Sequence, residues 1–526
     1  MRLTVGGSRT SVVVWLPALF IAVAIALPIV YLAVRALGAG SDFPALIFRA
    51  RTLEIVLRSL ALVAAVTTGS LVIALPLAWL TTRTDLPLRR TISVMTSLPL
   101  VIPSYIGGFI VLVALGPKGM LQGLLEPLFG IERLPEIYGF PGAVLTLTLL
   151  SYPYVLLPLR AALMKLDPSL EDSSRSLGHS GWTTFRRVTV PLLKPAISAG
   201  ALLVALYTLS DFGAVSLLGY ETFTWAIYIQ FETAFDRNMA AALSLILMLI
   251  AISILLIDIQ NHSRNQYYRS SSGSPRNPSV IRLGNWKWPS LAFCSFLAIL
   301  ALLLPMSILT YWAVRGISIG ESIPGIWTAT VSSLYVSVLA AGATLLTAIP
   351  VAVFAVQFPG WRSSLLERTT YIGFALPGIV IALALVFFGA RYGGPVYQTL
   401  PLLIFAYIVL FLPAAVGSIR TSLLQISPRI EEAARNLGKG PMQVLYSITI
   451  PIMRPGLLAG GALVFMLTMK ELPATMILSP IGFDTLAISI WSTASEAFFA
   501  EAAVHALLLV LVSSIPMTIF MLKEQR

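Results

Sequence analysis

Long apolar segments alternate with short polar ones along the whole chain. Twelve apolar runs have the length, roughly 20 residues, of a helix that spans a hydrocarbon core. They lie at 12–37, 53–81, 93–115, 142–164, 196–218, 239–260, 289–313, 329–356, 369–389, 400–418, 456–479 and 501–522. Since lipid offers no partners for backbone groups, these runs predict an all-α integral membrane protein with about 12 transmembrane helices.

Proline recurs inside the apolar runs and changes the expected shape of the helices. Examples are Pro28, Pro76, Pro103, Pro350 and Pro377. A proline inside a helix removes a backbone hydrogen bond and clashes with the preceding turn. We therefore expect kinked or broken helices rather than straight ones.

The chain contains an internal repeat. A shift of 260 residues aligns residues 160–204 with 420–464 without a gap and gives 14 identities in 45 positions, many of them charged or turn residues. A shift of 274 residues aligns Ser59, Pro76 and Pro103 with Ser333, Pro350 and Pro377. The change of shift is absorbed by a longer loop in the first half, between residues 116 and 141.

The repeat divides the chain into two halves. We predict a first transmembrane repeat at 1–260, a polar linker at 261–288 and a second transmembrane repeat at 289–526. Six spans per half is an even number, so the two repeats run in parallel through the membrane. A substrate path is expected between parallel repeats.

Basic residues indicate the orientation of these spans. The formal net charge is +12, and most Lys and Arg fall in the loops on the side of the N-terminus. The positive-inside rule therefore predicts a cytoplasmic N-terminus, linker and C-terminus. Because the charges are spread over short segments, a nucleic-acid surface is excluded. The single cysteine, Cys294, excludes a disulfide framework within the chain.

A polar loop recurs at the same place in each half, at about 165–195 and 425–455. In the second copy, Ser427 is a suitable N-cap and Pro428 suits the first turn of a helix. Apolar residues recur at helical spacing up to Leu437, and Gly438 ends the helix; the first copy ends at Gly178. We expect two short amphipathic helices on the cytoplasmic face, with both glycines in the left-handed conformation. Their matched positions indicate docking surfaces for a pair of cytoplasmic partners.

These loops carry a family resemblance. Glu432, Ala433 and Ala434, followed by Gly438 and the stretch ITIP at 448–451, resemble the EAA loop of binding-protein-dependent ABC importer permeases. The first copy is a weaker match, since its equivalents of the two alanines are serines. Three other stretches, at 207–223, 468–487 and 492–503, are similar to the fused double permeases of ferric-iron importers.

The resemblance implies a fold, partners and a set of functional residues. The implied fold is that of a type I ABC importer in a bacterial inner membrane. The implied partners are two copies of a cytoplasmic ATPase subunit and a periplasmic or extracellular substrate-binding protein. The residues implied in ATPase coupling are Glu171, Asp172, Gly178, Glu431, Glu432, Ala433 and Gly438.

The sequence contains no ATP site of its own. A phosphate-binding loop of the form GxxxxGK followed by Ser or Thr is absent from the chain. The three histidines are scattered, and no Ser, His and Asp set presents itself. We therefore expect a transport subunit that is not an enzyme and has no tightly bound cofactor, with ATP hydrolysed by a separate ATPase subunit. A membrane-embedded enzyme would need a catalytic set that this sequence lacks.

Two acidic residues lie inside predicted spans, where charge is costly and usually functional. Asp211 and Glu471 are equivalent under the shift of 260, and the nearby Gly213 and Pro473 can open the helix locally. In one interpretation they face each other near the middle of the membrane and transiently bind a hard cation such as Fe³⁺, the transported substrate. In the other, Glu471 neutralises Lys470 or another buried cation and Asp211 caps a helix break.

Other transport functions stay open at this point. A secondary transporter could share the repeat and the acids, but it would not need two matched cytoplasmic helices. Among importers of similar build, thiamine, polyamine, sulfate and phosphonate are alternative substrates to ferric iron.

Overall fold

The computed structural model describes residues 8–37, 49–263 and 280–524, except positions 323, 359, 362, 364, 367, 368, 371, 372, 374 and 375. The described residues of the first half form these helices: α1 Ser8–Leu37, α2 Ala50–Arg83, α3 Arg89–Met95, α4 Ser104–Leu115, α5 Met120–Phe129, α6 Phe140–Lys165, α7 Pro168–Ser176, α8 Gly181–Thr184, α9 Val190–Ser210, α10 Gly213–Leu217, α11 Phe223–Tyr228 and α12 Arg237–Ser263.

The second half repeats this order. Its helices are α13 Lys287–Ala298, α14 Leu304–Ile319, α15 Ile326–Gln357, α16 Gly378–Tyr392, α17 Leu400–Leu423, α18 Pro428–Asn436, α19 Pro441–Val444, α20 Ile450–Ile452, α21 Arg454–Lys470, α22 Pro473–Leu478, α23 Leu486–Ser495 and α24 Phe499–Glu524. Short π-helical turns join α8 to α9 (Phe185–Thr189) and α19 to α20 (Leu445–Thr449). The residue numbers of these two turns differ by 260, which is the shift of the internal repeat.

The apolar helices agree with the predicted spans. Among the described residues, nine helices are long and apolar enough to cross a membrane, and one bent helix pair raises the number to ten. The two other predicted runs correspond to the shorter apolar helices Gly378–Tyr392 and Phe499–Ile515. The prediction of an all-α membrane protein is confirmed.

Proline acts differently at different positions. Pro28, Pro76 and Pro350 lie inside uninterrupted helices, so the expected breaks do not occur there. Pro103 and Pro377, in contrast, immediately precede α4 and α16 and separate them from the chain before. A proline costs a helix less at its start than in its interior, because the first-turn N–H groups have no partner inside the helix anyway.

The two halves pack in equivalent ways and then exchange their first helices. Helix α2 packs on α6 and α9, and its counterpart α15 packs on α17 and α21. Helix α1 lies against α15 and α16 of the second half, while α13 and α14 lie against α3 and α4 of the first. The main buried apolar cluster accordingly contains residues of both halves. The first helices of each half therefore pack against the other half.

The linker ends in a defined contact. Thr84 and Ile281 form an isolated β-bridge, and Leu283 N–H donates to the carboxylate of Asp85 at 2.8 Å. The predicted linker spans 261–288, of which 264–279 lie outside the described residues. Its last part is thus attached to the loop that follows α2.

Candidate functional site

The two short helices α7 and α18, here called the coupling helices, have the predicted position and ends. Asp167 caps α7 by accepting a hydrogen bond from Ser169 N–H at 3.0 Å. Gly178 and Gly438 follow the two helices with φ of +85° in both cases. The expectation of a left-handed glycine at each end is confirmed, and a side chain there would be strained.

The first acidic residue of each coupling helix faces the protein. Glu171 is buried, and its Oε1 accepts a hydrogen bond from Thr189 Oγ1 at 2.8 Å. The same oxygen forms an ion pair with Arg83 Nη2 at 3.5 Å. Glu431 Oε1 accepts a hydrogen bond from Thr449 Oγ1, also at 2.8 Å. These acids therefore tie the coupling helices to the membrane helices.

The partners of these acids also obey the repeat. Arg83 ends α2 and Gln357 ends α15, and the two positions differ by the 274-residue shift. Gln357 Nε2 donates to both carboxylate oxygens of Glu431 at 3.1 and 3.0 Å. Thr189 and Thr449 lie at the ends of the two π-helical turns, which set the direction of their side chains. Sequence reasoning missed Arg83 and Gln357, although the shift of 274 aligns them.

The opposite face of each coupling helix is exposed. Asp172, Glu432 and Ala433 are exposed to solvent. Large apolar side chains are exposed beside them, with Leu177 at 79% and Leu437 at 84%. Exposed apolar side chains rimmed by polar residues are compatible with a protein-binding surface. The first two residues of the EAA pattern, Glu432 and Ala433, thus face outward, whereas Ala434 is buried and Glu431 faces inward.

The two intramembrane acids lie at two matched helix breaks. Helix α9 ends before Asp211, whose Oδ1 accepts hydrogen bonds from Ala214 N–H at 3.1 Å and Val215 N–H at 3.3 Å. Helix α21 ends before Glu471, whose Oε1 accepts from Ala474 N–H at 3.0 Å. Each acid therefore caps the short helix that follows it, α10 or α22. The local opening expected near Gly213 and Pro473 is present.

Each acid also lies at the start of a second helix. A Cβ at Gly378, the first residue of α16, would collide with Oε1 of Glu471. The side chain of Ser104, the first residue of α4, interacts with Asp211. The partial positive charge of a helix N-terminus stabilises a carboxylate. The geometry agrees with a capping role for Asp211. Glu471 also caps a helix, whereas no ion pair between Glu471 and Lys470 occurs among the described residues, and the passage of a cation between the acids stays a prediction.

Both breaks lie where the two halves meet. Lys470 Nζ donates to the carbonyl oxygen of Leu100 in the first half at 2.8 Å. Trp491 Nε1 donates to Ser216 Oγ at 3.0 Å, and its ring lies 5.7 Å from that of Phe212. Movement of one half relative to the other would therefore change the surroundings of both acids.

Three buried hydroxyls beside the breaks have no hydrogen-bond partner among the described residues: Tyr105 Oη, Thr208 Oγ1 and Thr468 Oγ1. Thr208 and Thr468 are repeat equivalents, each one turn before an acid. Tyr105 packs against Gly213 and interacts electrostatically with Glu471 of the other half. Sequence reasoning missed all three, although the repeat alignment pairs the two threonines. Unpaired buried hydroxyls are uncommon and call for an explanation.

The depth of the first break follows from the neighbouring helix. Ser198 Oγ in α9 donates to Asp258 Oδ1 in α12 at 2.6 Å, which fixes the register of these helices. At the rise of an α-helix, Asp211 lies about 20 Å beyond Ser198, whereas α12 extends about 32 Å beyond Asp258. The break thus lies past the midpoint of α12, toward the end away from the coupling helices. No group of three or more His, Cys, Asp or Glu side chains able to hold a metal occurs in the part of the chain that the structure describes.

Comparison with known proteins identifies the family. The sequence model of the protein family described as "Binding-protein-dependent transport system inner membrane component" matches the chain twice, at residues 65–265 and 345–522. The chain belongs to this permease family. The double match confirms the resemblance inferred from the EAA loops, and it makes the chain an inner-membrane transport permease.

Relatives of this permease include proteins named for ferric iron. The chain is 35% identical over 517 residues to the Fe(3+)-transport system permease protein FbpB 2 of Haemophilus influenzae, covering 97% of this chain and 98% of that protein. It is 25% identical over 407 residues to the ferric transport system permease protein FbpB of Actinobacillus pleuropneumoniae, covering 73% of this chain and 58% of that protein.

A shorter similarity extends to a permease named for another cargo. The molybdenum transport system permease protein ModB of Escherichia coli is 34% identical over 186 residues, which is 34% of this chain and 80% of that protein. The similarity thus covers about a third of the fused permease.

Proposed function

We propose that this permease carries ferric iron across the cytoplasmic membrane in an ATP-driven importer. The observation that supports it most is the 35% identity, over nearly the full length of both chains, with a permease named for Fe(3+) transport. The permease would work by alternating access, exposing the path between its two halves first to one side of the membrane and then to the other.

The coupling helices are the proposed docking sites for two copies of an ATPase subunit. Each copy would meet an exposed mixed surface. It consists of Asp172 on α7 with Leu177 directly after it, and of Glu432 and Ala433 on α18 with Leu437 directly after it. The inward-facing hydrogen bonds of Glu171 and Glu431 would pass movement of these helices to the membrane helices. In this proposal ATP is bound and hydrolysed by the partner, and the permease holds no tight cofactor.

The proposed orientation places the coupling helices in the cytoplasm. The positive-inside distribution supports a cytoplasmic N-terminus, linker and C-terminus. A substrate-binding protein would deliver the cargo to the opposite face, nearer the two helix breaks. High affinity for the cargo would then reside in that protein, and the permease would need only a weak site that releases the ion.

The chemistry near the breaks suits a hard cation. Asp211, Glu471 and the three unpaired hydroxyls of Tyr105, Thr208 and Thr468 are all oxygen donors. Hard, highly charged cations prefer oxygen to sulfur or imidazole ligands. We infer that a ferric ion passes these oxygens transiently as the halves move, without forming a stable metal centre.

A second candidate cargo is an oxyanion such as molybdate. Lys470 places a half-buried amino group next in sequence to Glu471, and this group donates to the carbonyl oxygen of Leu100 rather than to a carboxylate. The similarity to ModB, a permease named for molybdenum transport, supports this alternative. An ammonium group at the path would favour an anion over a cation.

Uptake by the assembled transporter separates the two cargoes. The permease, its ATPase and its binding protein are expressed together, and uptake of radioactive ferric iron and of radioactive molybdate is measured with matched protein amounts. The proposal predicts ATP-dependent iron uptake that excess molybdate does not inhibit. ATP-dependent molybdate uptake without iron uptake would replace it with the second candidate.

A further inference from the structure

Two aromatic residues from equivalent positions of the two halves touch each other. Tyr228 lies five residues after the start of α11, and Trp491 lies five residues after the start of α23. Their ring centroids are 5.9 Å apart. Equivalent residues of a two-fold arrangement meet only at its axis, because the rotation carries each one onto the other. The contact therefore marks the axis between the two halves.

The equivalence of α11 and α23 is visible in how each helix begins. Phe223 N–H, at the start of α11, donates to Ser59 Oγ in α2 at 3.1 Å. Leu486 N–H, at the start of α23, donates to Ser333 Oγ in α15 at 2.8 Å. Ser59 and Ser333 are equivalent under the shift of 274 residues. The two helices are thus held at the same place in each half.

The contact between the two rings lies farther from the coupling helices than Asp211 does. Thr224 Oγ1 donates to the backbone carbonyl oxygen of Asp211, so the start of α11 lies at the depth of the first helix break. Tyr228 follows one helical turn later, about 6 Å along the helix. The chain then reaches Arg237, where α12 begins at its end away from the coupling helices. The rings thus lie between Asp211 and the side to which a binding protein would deliver the cargo.

A third ring and a hydrogen bond complete this contact. The ring of Phe212 lies 5.2 Å from that of Tyr228 and 5.7 Å from that of Trp491. Rings at such distances are in van der Waals contact, so an ion cannot pass between them. Trp491 Nε1 in the second half also donates to Ser216 Oγ in the first half at 3.0 Å. The three rings, here called the aromatic closure, are therefore held together across the interface between the halves.

We propose that the aromatic closure seals the outer end of the transport path, and that the hydrogen bond between Trp491 and Ser216 must break before cargo enters. This inference rests on the proposed function, since it assigns the axis between the halves to the path of the cargo. Because Trp491 and Ser216 belong to different halves, breaking their bond requires movement of one half relative to the other. The closure thus opens only when the halves separate on that side.

A reversible disulfide tests whether the rings must separate. In a background with Cys294 replaced by Ala, Tyr228→Cys and Trp491→Cys place two thiols at the closure. The permease is assembled with its ATPase and binding protein in vesicles and oxidised, and ATP-driven transport of radioactive iron is measured before and after reduction. The control pair is Phe140→Cys with Tyr220→Cys, which replaces two rings 5.5 Å apart within the first half.

We expect oxidation to cross-link both pairs but to abolish transport only in the pair at the closure, and reduction to restore it. Normal transport by the cross-linked closure pair, or an equal loss in the cross-linked control pair, would overturn the proposal. Failure of the closure pair to cross-link in the resting transporter would overturn it as well. Absence of iron transport by the unmodified permease would instead overturn the proposed function.

Thiol labelling tests the hydrogen bond of Trp491 without any cargo. Thr208→Cys, in the background without Cys294, places a thiol beside the first helix break, on the inner side of the closure. A membrane-impermeant thiol reagent is added on the side that receives the binding protein, and the rate of labelling is measured in the assembled transporter without nucleotide. Trp491→Phe keeps a ring at the closure and removes the N–H group that binds Ser216.

We expect Trp491→Phe to raise the rate of labelling several-fold. The matched control is Trp312→Phe, because Trp312 Nε1 has no hydrogen-bond partner in the part of the chain that the structure describes. This control should label as slowly as the protein with both tryptophans. Equal rates in Trp491→Phe and Trp312→Phe would show that the bond to Ser216 does not hold the path closed.

Discussion

Thr189 Oγ1 donates a hydrogen bond of 2.8 Å to Glu171 across the turn between the first coupling helix and the membrane helix that follows. The same bond, with the same length, joins Thr449 to Glu431 in the other half. Because each threonine closes a π-helical turn, the turn and the bond form one structural unit. This unit directly connects each coupling helix to the membrane helix that follows it.

Removing the threonine hydroxyls should weaken this connection without removing the docking surface. Thr189→Val and Thr449→Val keep the side-chain shape and take away a hydrogen bond to a charged acceptor, worth about 1.5–3 kcal/mol. We expect normal assembly with the ATPase but several-fold less transport per ATP. Simultaneous measurement of ATP hydrolysis and iron uptake in vesicles checks this, and an unchanged ratio in the double variant would count against the connection.

The buried Glu171 should contribute more to stability than an exposed acid does. Glu171→Gln leaves the buried guanidinium of Arg83 without its charged partner, a change that costs about 3–5 kcal/mol. Glu136→Gln removes only an exposed ion pair with Arg133, worth about 0–1 kcal/mol, so its cost should be clearly smaller. Unfolding temperatures of the purified variants in detergent decide this. Equal losses of stability would show that the Arg83 ion pair carries no special weight.

The exposed faces should control assembly rather than stability. Glu432→Lys reverses a charge on the docking face, and Gly438→Val forces a β-branched residue into a left-handed conformation at a cost of roughly 1–3 kcal/mol. We expect both proteins to insert in the membrane but to lose transport, and Glu432→Lys to lose the ATPase on purification. Asp172→Lys, on the weaker copy of the motif, should have a milder effect. Normal assembly and transport by Glu432→Lys would show that this face does not dock the ATPase.

The acids and hydroxyls at the helix breaks should control passage of the cargo. Asp211→Asn and Glu471→Gln keep size and lose charge, so each should reduce iron uptake more than assembly or basal ATP hydrolysis, and the double variant should be nearly inactive. Tyr105→Phe, Thr208→Val and Thr468→Val should each reduce uptake by several-fold. Thr344→Val, which removes another unpaired buried hydroxyl on the unbroken helix α15, is the control. Full uptake by the double acid variant would leave these acids with a capping role alone.

Much of this fold follows from the sequence, because lipid imposes simple rules. The twelve apolar runs, the 260-residue repeat and the left-handed Gly178 and Gly438 each follow from hydropathy, self-similarity or turn chemistry. The inward direction of Glu171 could not be predicted from the sequence, because a helical pattern shows on which face a residue lies but not which residue it contacts. That partner, Arg83, lies 88 residues earlier. Likewise the bend in the second half occurs beside Pro451, whereas Pro191 at the equivalent position lies in an unbent span, so tertiary packing decides between them.

The central claim is that the permease couples ATP hydrolysis on its partner to the import of ferric iron. Its most direct test uses vesicles that contain the purified permease and ATPase, with the ATP-binding side of the ATPase facing outward and the iron-loaded binding protein inside. On addition of ATP, we predict release of radioactive iron to the ATP side, and we predict loss of that release in the Asp211→Asn, Glu471→Gln double variant while ATP hydrolysis continues. Rapid ATP hydrolysis with no movement of iron by the unmodified permease, under conditions where molybdate does move, would contradict the account.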